Sequence, residues 1–278
     1  MEIGANKPNR SIIDSKYLES HSTEECHLSI QIGLNGISYC IRNSSEILAI
    51  ESYNNSLSQL ESNIEKNRWL NLDYASTNIT VNTKKYVLIP KLLYKNEDRN
   101  KYLKLNHTNT EQLESLSDEI KSIESVVVYG ISKAKQDIIS TFFPKSTIKH
   151  ISSIHITNML AKYKNREEKT MIINVDYRQI HITVLDHTKL IFFNVFNYKT
   201  AHDCVYYTLF VCEQLELNPE NLSVELMGEI KKESELYNLI YTYIRYVNFA
   251  KRSVNLSPNI DSLLEHEHYT LLHQHLCE

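Results

Sequence analysis

The chain has 278 residues, 42% of them hydrophobic and 23% charged, with a formal net charge of -4. That is a soluble globular composition with room for one large domain or two ordinary ones around a real core. The acidic balance and the lack of a basic run exclude a general nucleic-acid or anionic-membrane binder, which needs clustered cations to displace counterions.

Residues 1–26 read as a polar N-terminal extension, with Ser11, Ile12 and Ile13 adding a short edge strand. Leu28, Ile30 and Ile32 alternate with polar residues, the period of a strand, and Asn35-Gly36 suits a tight hairpin into Ile37 to Ile41. Ile47 to Tyr53 makes a third strand. A helix is predicted over Ser56 to Leu70, then strands at Asn78 to Val81 and Tyr86 to Ile89. Glu111 to Ile123 reads as an amphipathic helix, its acidic residues forming a solvated face. Ser125 to Tyr129 is a buried strand ending at Gly130, Lys133 to Phe143 a helix, Thr147 to Ile151 a strand and Ile154 to Tyr163 a helix. The polar stretch Asn165 to Lys169 marks a boundary between domains at 27–165 and 166–278.

The second half follows the same plan. Three strands run from Met171 to Asn197, with turns at Tyr177-Arg178 and Asp186-His187. A helix over His202 to Leu217 leads to a strand at Leu222 to Met227 that closes on Gly228. Lys231 to Thr242 is a helix, Tyr243 to Phe249 a strand, and Asp261 to Leu276 a final leucine-lined helix. Shifting Met171–Phe196 back by 143 lays Met171 on Leu28, Ile173 on Ile30, Val175 on Ile32 and Ile180 on Ile37 without a gap. The chain is therefore read as an internal duplication.

Five glycines, against roughly nineteen at an average usage of about 7%, exclude a Walker loop, a Rossmann fingerprint and a nucleophile elbow. Five scattered cysteines fit reduced thiols. With no signal-peptide core and no stretch near the ~20 apolar residues that span a bilayer, the expectation is a cytoplasmic protein without membrane insertion. His266, His268, His273 and His275 invite a metal-site reading. Their spacing lacks the i, i+4 pairing a helical site wants, so satisfied or solvated histidines are expected and no metal. Tyr237, Tyr241, Tyr243 and Tyr246 with Arg245 are expected in core or semi-buried packing; exposed, they would suit a partner site.

Two consecutive β-β-β-α-β-α units resemble the actin-like ATPase superfamily, with its ribonuclease H-like α/β fold, over nearly the whole chain. More narrowly, His27 to Ile30 and His275 to Glu278 resemble a Bacteroidota family carrying this fold, for which no activity is established. The resemblance implies two subdomains around a nucleotide cleft, with an Asp-x-Gly signature on each hairpin. Here those signatures read Gln31-Ile32-Gly33 and Asn174-Val175-Asp176. Gly36 follows in the first hairpin, and the adenosine-side signature keeps only Gly228, followed by Glu229. An amide can hydrogen-bond but cannot neutralise Mg²⁺ or take a proton near neutral pH. Asp176 adds negative charge where a phosphate belongs.

Plainer roles stand beside these: Gly33 and Gly36 serve a hairpin, Asp176 a turn, and Gly228 the end of a strand. The expected function is a non-catalytic binding or scaffold component with an unknown protein partner, no nucleic acid and no cofactor. The alternative is a nucleotide-binding protein, ATPase or kinase that holds ATP and Mg²⁺ with non-standard residues. A third reading is a sensor of some other ligand.

Overall fold

The computed structural model describes residues 8–20, 22–54, 57–258, 260 and 263–277. The predicted helix start at Ser56 and the Asp261 start of the last helix lie outside them. The chain forms two compact units, one comprising Met1–His155, Val254–Ser262 and Thr270–Glu278, the other Ile156–Ser253 and Leu263–Tyr269.

The first unit begins with β1 (Arg10–Ile13) and α1 (Ser15–Glu19), followed by the meander β2 (His27–Ile32), β3 (Gly36–Arg42) and β4 (Glu46–Asn54). Then come α2 (Leu57–Lys66), β5 (Ser76–Val81), β6 (Tyr86–Pro90), α3 (Arg99–Asn106), β7 (Leu113–Ile120), β8 (Ser125–Ser132), α4 (Lys133–Phe142), β9 (Thr147–His150) and α5 (Ile151–Tyr163), the last running on into the second unit. The second unit adds β10 (Thr170–Asp176), β11 (Gln179–Asp186), β12 (Lys189–Asn197), α6 (Ala201–Gln214), β13 (Ser223–Gly228), α7 (Glu235–Tyr243) and β14 (Tyr246–Phe249). The chain then returns to the first unit with β15 (Asn255–Leu256), and α8 (Tyr269–Leu272) lies near its end.

The main sheets share one order. In the first unit the path is β1-β4-β3-β2-β5-β9, with β15 also on β4; in the second it is β12-β11-β10-β13-β14. Each meander is antiparallel, and its first strand pairs parallel to the strand after the first long helix. Registers agree as well. Leu28 faces Ile41 and Ile32 faces Ile37; Met171 faces Val184 and Val175 faces Ile180, the same pairs shifted by 143. The register slips between Ile41 and Arg42 in one unit and between Val184 and Leu185 in the other, again the same place. Thr200 and Asp203 close a capping box on α6, and Ser132 and Ser234 cap α4 and α7, so these three helices start at a side-chain oxygen. In the second unit Ile173, Ile182 and Leu226 of the sheet bury against Val205, Val211 and Ile240 of α6 and α7.

Between β5 and β9 the first unit carries a small antiparallel sheet, β6-β8-β7. Here the predicted helix over 111–123 is corrected: residues 113–120 are strand β7, paired along its length with β8. Leu113, Leu116 and Ile120 fit a helical stripe. However, Val126 to Val128 are buried in a central strand that needs partners on both edges, and that demand overrides local spacing. The solvated-face reading of its acids fails with it. Asp118 is buried and accepts hydrogen bonds from the His150 N–H (2.6 Å), Ser153 Oγ (2.7 Å) and Tyr129 OH (3.1 Å). Its carboxylate ties the inserted sheet to the first turn of α5, where helix amides favour a negative group. Beta strand β8 also runs on through Gly130 to Ser132, and α3 has no counterpart in the sequence reading.

A second buried acid, Glu51, holds the meander. It accepts from Ser11 Oγ (2.6 Å), Tyr39 OH (2.5 Å), Tyr53 OH (2.9 Å) and Asn67 Nδ2 (3.0 Å). Asn67 itself ends α2, its Oδ1 accepting from the Trp69 and Leu70 N–H groups in place of continued helix. The final segment is corrected too: among the described residues, 263–277 holds only α8 and a short 3-10 turn, with reverse turns over 265–268. Leu271 of that segment accepts from Cys40 Sγ and Gln274 donates to Ile30 O, which seats it on β2 and β3.

Two outcomes follow from the buried acids. Glu51→Ala removes the acceptor shared by Ser11, Tyr39, Tyr53 and Asn67 and lowers stability by about 3 kcal/mol, read by chemical denaturation. Burial pushes the Asp118 carboxyl up to about 6, against hydrogen bonds that pull it down. A raised folded-state value means this contribution is full below the unfolded value and fades as pH rises through 6. Stability therefore gains about 3 kcal/mol from this group between about pH 7 and about pH 3, and Asp118→Asn removes that slope in denaturation series.

Candidate functional site

In the first unit Gln31 and Gly33 stand at the C-terminal end of β2, the end of parallel strands where open α/β sheets receive ligands. Gln31 is half-buried, opposite Ser38 of β3 and Thr80 of β5. The Gly33 N–H donates to Gly36 O (2.8 Å) and closes the hairpin loop. At Gly36 a Cβ would lie 1.8 Å from the Tyr53 carbonyl oxygen, so close approach to β4 demands glycine there. At Gly33 the nearest atom to such a Cβ is 3.6 Å away, and packing makes no such demand.

In the second unit Asn174, Asp176 and Gly228 come together. Val175 and Gly228 are register partners on the parallel strands β10 and β13. A Cβ on Gly228 would sit 2.1 Å from Val175 O and 2.8 Å from Asn174 Oδ1, and its φ is +86°. Asn174 is buried, opposite His181 of β11. Burial pushes the His181 imidazole down to about 4, so it is neutral at pH 7. The Asp176 Oδ1 accepts from the Tyr177 N–H (2.7 Å) in the turn, and Tyr198 OH donates to the Asp176 carbonyl (3.1 Å).

Beyond the signature positions, Glu229 follows Gly228, its N–H donating to Val175 O (2.8 Å). Partial burial, then the Asp176 and Glu267 carboxylates, push its carboxyl above the usual range. The histidine-rich segment backs this loop: the Gly228 N–H donates to His266 O (2.9 Å), and His266 Nε2 donates to Ile230 O (2.6 Å) while its ring stacks on Phe249 at 4.2 Å. Among the described residues no group of three or more His, Cys, Asp or Glu is placed to hold a metal ion. Cys26, Cys40, Cys204 and Cys212 are free and buried, and no helix among the described residues is long and apolar enough to cross a membrane. The tyrosine expectation is corrected: Tyr241, Tyr243 and Tyr246 are about half exposed, with Tyr241 stacked on half-buried Tyr237 at 5.9 Å.

Residues 15–247, through both meanders and the Gly228 loop, match the family described as "Protein of unknown function (DUF3822)". The chain belongs to that family. No curated protein matches it. Among solved structures, the DUF3822 chain is similar to a Bacteroides thetaiotaomicron VPI-5482 protein with actin-like ATPase fold and unknown function. The two are 22% identical with a TM-score of 0.74, over 82% of this chain and 91% of that one. It is also similar to a chain of the PilM-PilN type IV pilus biogenesis complex, at 9% identity and a TM-score of 0.62, over 92% of this chain and 98% of that one. The DUF3822 chain therefore has the actin-like ATPase fold.

The two glycines that differ most in their surroundings give a paired outcome. Gly228→Ala meets a backbone oxygen at a positive φ and costs more than about 2 kcal/mol. Gly33→Ala stays within about 0.5 kcal/mol of the parent, both read as thermal shifts.

Proposed function

We propose that the DUF3822 chain is a non-catalytic binding or scaffold component on an actin-like ATPase fold. The observation that carries this reading is the chemistry at the two strand ends: Gln31 and Asn174 are both amides. Asn174 is enclosed beside a neutral imidazole, a setting for an uncharged group, and the Asp176 carboxylate already serves its own turn. Glu229 and Glu267 add negative charge beside Gly228, where a phosphate chain would need donors. These residues do not fit a Mg-nucleotide, so no catalytic step is assigned. On this reading the protein works in the cytoplasm, its two units descend from one duplicated β-β-β-α-β-α plan, and its activity is to hold a protein partner. That one similar fold occurs in a pilus biogenesis complex is in keeping with such a role.

The second reading, a nucleotide-binding ATPase or kinase with substituted residues, draws on the same carboxylates. The Asp176 carboxylate lies close enough to Glu229 to raise its titration, and such a pair could face a divalent cation. Thermal unfolding with Mg-ATP, Mg-ADP and neither separates the two. A nucleotide at a hundredfold its Kd adds about 2.7 kcal/mol. The scaffold reading expects no shift; a clear shift together with turnover that Asp176→Ala abolishes overturns it.

A further inference from the structure

The two units treat the outer edge of their meanders differently. In the first, β4 is covered: β1 pairs antiparallel with Ala49 to Ser52, and β15 pairs parallel with Glu46 and Ile47. Strand β12 is the register counterpart of β4, and among the described residues no strand pairs with its outer edge. Native sheets blunt such edges with charge, proline or short length. From Leu190 to Asn197, β12 has none of these; it is aliphatic, aromatic and amide throughout.

The open edge also has a sticky flank. Phe196 stacks on Tyr207 of α6 at 4.6 Å, Tyr207 meets Tyr206 edge-on at 5.4 Å, and Tyr206 stacks on Phe210 at 6.2 Å. Tyr206 is 63% exposed, Phe210 39% and Ile191 44%, so apolar surface continues from the strand edge onto the helix.

We infer that β12 is a self-association edge, pairing antiparallel with β12 of a second copy of this chain. A two-fold axis normal to the sheet requires each residue to face a partner on the same side, so the two numbers of every pair add to an even total. The bulge leaves Ile191 between the register partners Leu190 and Phe192, so regular pairing begins at Phe192. Centring the pair on Asn194 keeps the contact beyond that bulge. Phe192 then faces Phe196 of the second copy, Phe193 faces Val195, and the two Asn194 side chains meet on the axis. No charged residue faces another. The Val195 N–H is bonded locally by Asn194 Oδ1 (2.8 Å), consistent with its pointing to the outer edge. The first unit supplies the precedent: β1 adds antiparallel to the stretch of β4 equivalent to residues 192–195.

The test uses the full chain in analytical ultracentrifugation. The expected species has twice the 32.5 kDa chain mass. Asn194 is exposed, so Asn194→Lys and Asn194→Glu leave the fold intact by far-UV circular dichroism but set like charges face to face. Each variant alone then sediments at one chain mass, and an equal mixture of the two returns to two. A monomeric parent, variants that stay dimeric, or a mixture that fails to pair each overturns the inference. Hydrogen exchange supplies an independent check on the unaltered protein. The Val195 amide gains protection as concentration rises, and protection that ignores concentration overturns the proposal equally.

Discussion

Everything in this molecule hangs on the register of a three-stranded antiparallel meander. A slip of one residue between β2 and β3 would turn Leu28, Ile30 and Ile32 from the core to the opposite face, and every partner with them. The same constraint operates on β10 and β11. Both meanders take the same pairing and break it at the same bulge, so the parallel strands and crossover helices that follow find equivalent surfaces to pack on. Tight hairpin turns help hold this: Gly36 lies against the Tyr53 carbonyl, and Arg178 takes a positive φ of 53°.

Two carboxylates of the first unit lie in its interior. Glu51 and Asp118 are buried carboxylates surrounded by hydroxyl, amide and backbone donors, and each fastens an accessory piece to the main sheet. Glu51 binds the edge strand β1 and the end of α2 to the meander, while Asp118 binds the inserted sheet to α5. At the strand ends, by contrast, neutral amides stand where the resemblance implied acids. The protein thus uses its costly buried charges for assembly of the fold.

Much of this was legible from spacing. The two meanders, α4, β9, β13 and the turns at Tyr177-Arg178 and Asp186-His187 could be read because alternation and turn residues are local signals. The unread parts depend on distant neighbours. Leu113, Leu116 and Ile120 satisfy a helix as well as a strand, and only the need of β8 for a second partner decides between them. The leucines after 260 suggested a helix, yet Leu271 and Gln274 are placed by hydrogen bonds to residues over two hundred positions earlier. The signature positions implied by the resemblance, Gln31, Gly33, Asn174, Asp176 and Gly228, lie at or beside the ends of β2, β10 and β13. Glu267 was not legible, because nothing local links it to Gly228, and the His266 backing of that loop comes from the same distant segment.

The return of the chain to its first unit carries a consequence for synthesis. Strand β15 and the segment that seats on β2 and β3 belong to the first unit but are made after all five strands of the second unit's sheet, β10 to β14. The later sheet can thus form while the earlier unit still lacks part of its edge and its cover. The unit whose strands emerge first therefore owes its finished state to residues that follow the second sheet in the chain.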